Sequence, residues 1–316
     1  MLTGSTIHHY RRTRIRGAGA LLALVALLAL AAAAIAPAAP AAERAKPKEE
    51  RVVALTPFSA NTLIKLGVKP VAIGEGQGGV KLDSKLKGVP KLPLSHAANG
   101  PNLEQLAQYD PDVVFSERTW SAGFAAIRGL GMRVVTADPY RVSSVPRKVR
   151  AVGRVADRKR KAGKLAEAIS KQIKRSTAGI TASPRVLMIL GVGETPYAFL
   201  ANSWGGDLVR RAGGELLTEG LSNDGGDDLL VSGGYAQLSD EQIIAMNPDV
   251  VIAVAHGRAE DLETIADNLR SDPAFEMTNA AVNGRVYVTT DASMLQGNTN
   301  VASKISKIRN DYLLNR

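Results

Sequence analysis

The side chains best suited to chemistry in this chain are two histidines and two tyrosines. Of the four histidines, His96 and His256 lie outside the N-terminal region, and each directly follows a segment that is predicted to be a strand. A neutral imidazole nitrogen can ligate an iron such as that of heme, and a phenolate from Tyr140 or Tyr235 can do the same. The alternative is that both histidines are polar loop residues that bond to the backbone.

Three arginines could bind a carboxylate, because Arg118, Arg141 and Arg258 each follow a predicted strand. A planar guanidinium forms two parallel charge-assisted hydrogen bonds with a carboxylate, including a heme propionate. Ordinary surface arginines are the alternative. Since ligands of open parallel sheets bind beyond the carboxyl ends of the strands, aromatic residues near those ends are also candidates for ligand contact. They are Phe58, Trp120, Tyr140, Tyr197, Trp204 and Tyr235.

A pattern that occurs twice organises the chain. The first copy is Asn102–Leu106 followed by Pro111–Val114, and the second is Ser239–Ile243 followed by Pro248–Val251. Both read E-Q-apolar, four further residues, then P-D-V-V. Two identically spaced helix-turn-strand units predict two similar lobes, and a cleft between lobes is a common ligand site.

Glu104 and Glu241 occupy equivalent positions in the two copies. They could be first-turn glutamates that interact with the positive end of a short helix. They could equally be docking points for basic partners, one on each lobe. The residues alone leave both interpretations open.

Strands and helices alternate along the rest of the chain, which predicts α/β lobes, each with a mostly parallel central sheet flanked by helices. Apolar residues at helical spacing over 144–178 predict a helical connection between a first lobe at 51–143 and a second lobe at 179–316. The predicted strands are 51–55, 70–73, 113–115, 133–137, 185–190, 250–255 and 286–289. The predicted helices are 60–67, 103–109, 122–130, 207–212 and 241–246.

The N-terminal segment differs from the rest of the chain. Four arginines within residues 11–16 precede an uncharged apolar stretch, which predicts a signal peptide over 1–42, followed by a polar linker at 43–50. The same apolar length could also span a bilayer as an uncleaved anchor. In both cases the folded part is expected outside the cytoplasm, in the periplasm or at the cell surface.

Charge and cysteine content exclude several classes of function. The formal net charge of +10 falls to +6 without the four N-terminal arginines, so nucleic acid is not an expected partner. The chain has no cysteine, which excludes disulfides, thiolate metal sites and a lipid-modified cysteine as a membrane tether.

The motifs of common enzymes are missing from the sequence, which contains neither G-x-S-x-G nor H-E-x-x-H. Residues 74–79 match the dinucleotide spacing G-x-G-x-x-G, but the residues after them do not begin an apolar helix. We therefore expect a binding protein and not an enzyme. The alternative from another class is an exported α/β enzyme that uses the same cleft.

From Arg51 onwards the chain resembles the substrate-binding proteins of ABC importers for iron complexes and cobalamin. The segments that carry the resemblance are Arg51–Leu55, Leu66–Gly74, Pro101–Glu104 with Pro111 and Asp112, Gly206–Leu208 with Gly213 and Gly214, and Leu238–Glu241 with Pro248 and Asp249. The resemblance implies two α/β lobes joined by a single long helix. It also implies that Glu104 and Glu241 form salt bridges with arginines of the permease dimer.

Within this family the second lobe is most similar to the heme receptors of Gram-positive importers. Val250–Gly257 resembles a strand whose histidine ligates heme iron, which implies that role for His256. Asn99 stands where those receptors have a methionine, so either His96 would supply the second iron ligand or the iron would have one protein ligand. The expected function is that of a monomeric receptor, without a catalytic cofactor, that captures an iron complex and delivers it to a permease. Heme is the first expected ligand, a ferric siderophore the second and cobalamin the third.

Overall fold

The computed structural model describes residues 50–75, 80–95, 99–180, 183–191, 196–222, 234–255 and 262–314 of the protein. These residues belong to one compact unit that begins at Glu50. The predicted signal peptide or anchor at 1–42 lies outside them, as does all of the linker except Glu50. No helix within the described ranges is long and apolar enough to cross a membrane.

Strands and helices alternate along the described residues, as the sequence predicts. The strands are β1 (Val52–Ala54), β2 (Ala72–Glu75), β3 (Lys91–Ser95), β4 (Gly100–Pro101), β5 (Val113–Ser116), β6 (Arg133–Thr136), β7 (Arg185–Leu190), β8 (Tyr197–Phe199), β9 (Glu215–Leu216), β10 (Tyr235–Gln237), β11 (Val250–Val254) and β12 (Val286–Thr289). The α-helices are α1 (Pro57–Leu66), α2 (Leu103–Ala107), α3 (Phe124–Gly129), α4 (Val145–Val155), α5 (Lys159–Ser176), α6 (Trp204–Ala212), α7 (Asp240–Met246), α8 (Leu262–Arg270), α9 (Asn279–Val282) and α10 (Val301–Ile308).

The first sheet has the strand order β4-β3-β2-β1-β5-β6. All of its neighbouring strands are parallel except β3 and β4. The central strands β1 and β5 consist mainly of valine and other apolar residues, and every one of their residues is buried. Such continuous burial is typical of parallel strands that are covered by helices on both faces.

The second sheet has the order β10-β8-β7-β11-β12, with β9 also paired to β7. Strands β7, β9, β11 and β12 are parallel, whereas β8 and β10 are antiparallel to their neighbours. The two sheets are separate. The predicted α/β fold with two sheets flanked by helices is therefore confirmed.

The repeated sequence pattern folds in the same way in both sheets. In the first, α2 precedes β5, which lies between β1 and β6. In the second, α7 precedes β11, which lies between β7 and β12. The duplication seen in the sequence is therefore a duplication of a helix and three parallel strands.

The connection between the sheets consists of two helices and not of the single long helix that the resemblance implies. α4 ends at Val155 and α5 begins at Lys159. Asp157 between them has a φ of 49°, a left-handed conformation that an α-helix does not continue through. The two helices pack closely at Gly153, where an added Cβ would lie only 2.1 Å from Ala162 Cβ.

A single buried cluster joins the two sheets through these helices. It includes Val52 of β1, Val149 of α4, Val186 of β7 and Ile305 of α10. In addition, the backbone N–H of Val142 donates to Asp207 Oδ2 at the start of α6, over 2.7 Å. This continuous packing predicts that the two sheets move little relative to each other when a ligand binds.

Candidate functional site

A cavity of about 370 Å³ opens beyond the carboxyl ends of β5 and β6. Glu117 and Arg118 follow β5 directly, and Asp138 and Tyr140 follow β6. One face of α4 forms the opposite wall. The lining residues are Glu117, Arg118, Thr136, Asp138, Tyr140, Arg147, Lys148, Ala151 and Arg154. This edge is where open parallel sheets generally bind ligands.

Two carboxyl groups, Glu117 and Asp138, interact at this edge. Burial raises the pKa of Asp138 well above its ordinary value, and the negative charge of Glu117 raises it further. Thr56 Oγ1 opposes these effects by donating to Asp138 Oδ2 over 2.9 Å. Burial also raises the pKa of Glu117, against a hydrogen bond with the Trp120 side chain. The pair therefore holds a proton to higher pH than two isolated carboxyls would.

The second lobe contributes Tyr235 of β10. Its ring packs edge-on against Phe199 at 4.7 Å between centroids and an interplanar angle of 66°. Burial, followed by the charge of Glu117, raises the pKa of Tyr235 to about 12. Glu117 and Tyr235 come from different sheets, so this electrostatic interaction acts between the two lobes.

The aromatic residues that were predicted to contact a ligand differ from one another in how deeply they are buried. Phe58 is fully buried in the core, and Trp204 is buried with its indole nitrogen donating to the Ser293 carbonyl over 3.0 Å. Both side chains lie beneath the surface of this structure, and their contact with a ligand stays a prediction. Tyr197 is half-buried and accepts a hydrogen bond from Gln237 Nε2 over 3.3 Å.

Two further predicted aromatic residues lie near the carboxyl pair. Tyr140 lines the cavity and is 52% exposed. Trp120 is buried and hydrogen-bonded to Glu117. Either residue can therefore influence a ligand at this edge of the first sheet, Tyr140 by contact and Trp120 through Glu117.

The predicted arginines and histidines divide into two groups. Arg118 and Arg141 are exposed, and Arg118 lines the cavity, whereas Arg141 is not among the lining residues. His96, His256 and Arg258 lie outside the described residues, so their roles stay predictions. In the part of the chain that the structure describes, no group of three or more acidic or histidine side chains is arranged to hold a metal ion.

Sequence reasoning missed the contribution of α4 to the cavity. Arg147, Ala151 and Arg154 are spaced i, i+4 and i+7, so they share one helix face. Val145, Val149 and Val152 have the same spacing on the buried face. The sequence already showed that the two arginines share a helix face next to the face with the valines. Only the fold shows that the arginine face lies opposite β5 and β6.

Comparison with known proteins agrees with this architecture. The sequence profile of the family described as Periplasmic binding protein matches residues 52–292. The chain belongs to this family. Among its relatives is the high-affinity heme uptake system protein IsdE of Staphylococcus aureus strain MRSA252. That protein is 24% identical over 252 residues, which cover 78% of this chain and 80% of the relative.

Two solved structures share the periplasmic binding protein fold of this chain. An ABC transporter substrate-binding protein from Listeria monocytogenes EGD-e has a TM-score of 0.71 at 23% identity, covering 85% of this chain and all of that one (100%). S. aureus IsdE complexed with heme has a TM-score of 0.67 at 21% identity, covering 84% of this chain and 99% of that one. At these identities the likeness concerns the fold.

In this periplasmic binding protein, Glu104 and Glu241 occupy matching positions at the starts of α2 and α7. Asn102 caps α2 by accepting from Gln105 N over 2.9 Å, and Ser239 caps α7 by accepting from Gln242 N over 3.3 Å. Each glutamate is the second residue of its helix and is exposed. A hydrogen bond with the Ser239 side chain lowers the pKa of Glu241. Both carboxylates are therefore available to a partner.

Proposed function

We propose that this protein is an extracytoplasmic substrate-binding protein that captures an iron complex, with heme favoured, and delivers it to an ABC permease. The observation that carries the proposal is the similarity over 78% of the chain to a protein named for heme uptake. The interaction between Glu117 and Tyr235 supports it, because it acts between the two lobes, where a receptor of this kind holds its ligand. A receptor of this kind binds and releases its ligand without chemical change.

The proposed iron ligand is His256, with His96 as a second ligand. In the sequence, His256 follows Ala255, the buried residue directly after β11. The carboxyl end of this central strand is where a parallel sheet presents ligand-binding side chains. Tyr235 is the alternative, although its high pKa means that iron must displace a phenol proton before the oxygen can ligate.

Glu104 and Glu241 are the proposed contacts with the permease dimer. They lie at equivalent positions on duplicated units, so they suit a partner that itself presents two equivalent basic sites. Because both carboxylates are exposed, a basic partner can reach them and its charge can steer association. We also propose that the protein acts as a monomer and is exported through residues 1–42. No nucleic-acid partner is part of this proposal.

A heme titration of the purified protein tests the proposal. We expect a Soret band that saturates at one equivalent, shifts in His256→Ala and shifts less in His96→Ala. Tyr235→Phe is the matched variant that keeps the ring and removes the phenol oxygen. A spectrum that is unchanged in His256→Ala but altered in Tyr235→Phe would transfer the iron to the tyrosine. If heme gives no band while a ferric siderophore or cobalamin quenches tryptophan fluorescence, the ligand is that compound and the heme proposal is wrong.

A further inference from the structure

The described residues that line the cavity beside α4 belong to the first lobe and the connection. In the part of the chain that the structure describes, these lining residues run from Glu117 to Arg154 and include none from the second sheet. A molecule in this cavity would contact α4 as well as the carboxyl ends of β5 and β6, including Glu117, whose charge also acts on Tyr235 of the second sheet.

The cavity has more positive than negative side chains. Four cations line it, namely Arg118, Arg147, Lys148 and Arg154, against the two carboxyls Glu117 and Asp138. Within the described ranges, none of these four cations forms a salt bridge. The carboxyl pair carries two negative charges when both groups are ionised and only one while it retains a proton, so at least two of the four positive charges are uncompensated.

The cations are held close together by the fold. Burial lowers the pKa of Lys148, and the neighbouring charges of Arg147 and Arg118 lower it further, while Asp138 opposes them. Mutual repulsion of this kind is relieved when an anion enters. Ala151 lies between Arg147 and Arg154 on the same helix face, and its small side chain leaves space for such a group.

We propose that this cavity is a binding site for a multivalent oxyanion, whose clustered carboxylate or phosphate oxygens are held by Arg147, Arg154 and Arg118. Guanidinium groups bind such oxygens in pairs of parallel hydrogen bonds. The hydroxyls of Tyr140 and Thr136 at the same cavity supply further donors. The volume of about 370 Å³ accommodates a small tricarboxylate. The oxyanion could be a free ion or the carboxylate arms of a bound iron complex, and this proposal does not depend on heme being that complex.

Isothermal titration of citrate and of inorganic phosphate into the purified protein tests the site. We expect citrate to bind and the double variant Arg147→Ala/Arg154→Ala to bind it at least about tenfold more weakly, since each lost arginine removes charge-assisted hydrogen bonds. Arg150→Ala is the matched control, because Arg150 is on the same helix, is exposed and interacts with Glu167 of α5 instead. Its citrate affinity should equal that of the wild type.

A second arm identifies the source of the oxyanion. If the carboxylates of the bound iron complex occupy the cavity, heme should bind at least about tenfold more tightly than its dimethyl ester. The double variant should then lose this preference. If citrate binds but heme and its ester bind equally, the site takes a free anion. Thermal melts of both variants should match the wild type, because the substituted side chains are exposed.

The proposal is overturned if neither citrate nor phosphate binds and the double variant leaves the heme-to-ester ratio unchanged. It is also overturned if Arg150→Ala weakens citrate as much as the double variant does, because the effect is then one of general charge. A protein that fails to bind heme would contradict the proposed function but not this site, which the citrate titration decides separately.

Discussion

The backbone N–H of Arg51 donates a hydrogen bond to Asp112 Oδ2 over 2.7 Å, and an equivalent bond joins Arg185 N to Asp249 Oδ2 over 3.0 Å. The side chain of each arginine also donates to a backbone carbonyl just after the helix that precedes the aspartate, which is α2 for Asp112 and α7 for Asp249. Arg51 Nη2 lies 2.7 Å from the Tyr109 oxygen, and Arg185 Nη1 lies 3.2 Å from the Asn247 oxygen. The aspartate of the repeated P-D-V-V pattern is therefore structural in both lobes.

This pairing makes Asp249→Ala destabilising. The change removes the acceptor for Arg185 N and for Asn279 Nδ2, so we expect a loss of about 1–3 kcal/mol in the free energy of unfolding. Urea denaturation measures it. Glu276→Ala is the control, since Glu276 is an exposed carboxylate in the segment between α8 and α9. Equal effects of the two changes would contradict the structural role.

Two aspartates predict opposite dependences of stability on pH. The pKa of Asp138 is raised by burial and by Glu117, so the folded state loses stability as pH rises from the unfolded value of 3.8 through the folded pKa. Asp138→Asn cannot ionise and still offers an oxygen to Thr56. We therefore expect it to be more stable than the wild type at neutral pH, with a smaller slope of stability against pH in that range.

Asp291 provides the opposite case. Burial raises the pKa of Asp291, but hydrogen bonds from Lys304 and Ser293 outweigh this effect and lower the pKa. Lys304 Nζ donates to Asp291 Oδ2 over 2.5 Å. Its contribution to stability is thus present above the unfolded value of 3.8 and is lost as pH falls through the folded pKa. Asp291→Asn should lower stability at neutral pH by about 1–2 kcal/mol. Thermal melts over a pH series check both variants, and changes of the same sign would contradict this electrostatic account.

The interaction across the two lobes predicts a shift in a tyrosine titration. Glu117→Gln removes a negative charge near Tyr235, so its pKa should fall below the value of about 12 while remaining above the ordinary value of 10.0 because burial persists. The absorbance of tyrosinate against pH measures this, and Tyr235→Phe assigns the transition. Glu104→Gln is the control on an exposed helix and should leave the titration unchanged.

The close approach of α4 and α5 predicts opposite effects at two helical glycines. Gly153→Ala would bring a methyl group to 2.1 Å from Ala162 Cβ, so the helices must separate and stability should fall by about 1–3 kcal/mol. At Gly163 a Cβ meets nothing within 4 Å, and alanine there should stabilise the helix by about 0.5–1 kcal/mol. Guanidinium denaturation compares them, and a neutral Gly153→Ala would disprove the tight contact.

The proposed docking role predicts variants that bind ligand but do not deliver it. Glu104→Lys and Glu241→Lys should each reduce iron-complex uptake by cells about tenfold or more, because an attractive contact becomes repulsive. Ligand affinity of the purified variants should stay unchanged. Glu276→Lys reverses an exposed charge that belongs to neither helix and should not affect uptake. Normal uptake by the double variant Glu104→Lys/Glu241→Lys would rule out docking through these residues.

The sequence by itself determined the α/β class, the two lobes and the central parallel strands. Valine runs such as those in β5 and β11 are buried on both faces, so their pattern is local and strong. The strands β4, β8, β9 and β10 were not predicted, because strands of only two or three residues carry little pattern. The pairing of β9 and β10 also depends on partners distant along the chain.

Only the tertiary structure decided which side chains meet. Strand ends predicted where the backbone goes but not which way a side chain points, and so Phe58 and Trp204 proved to be buried. The break at Asp157 folds α5 back onto α4, and the packing of α4 on the core then places Arg147 and Arg154 opposite Glu117 and Asp138. Contacts between elements so far apart depend on packing in three dimensions, which no local spacing encodes.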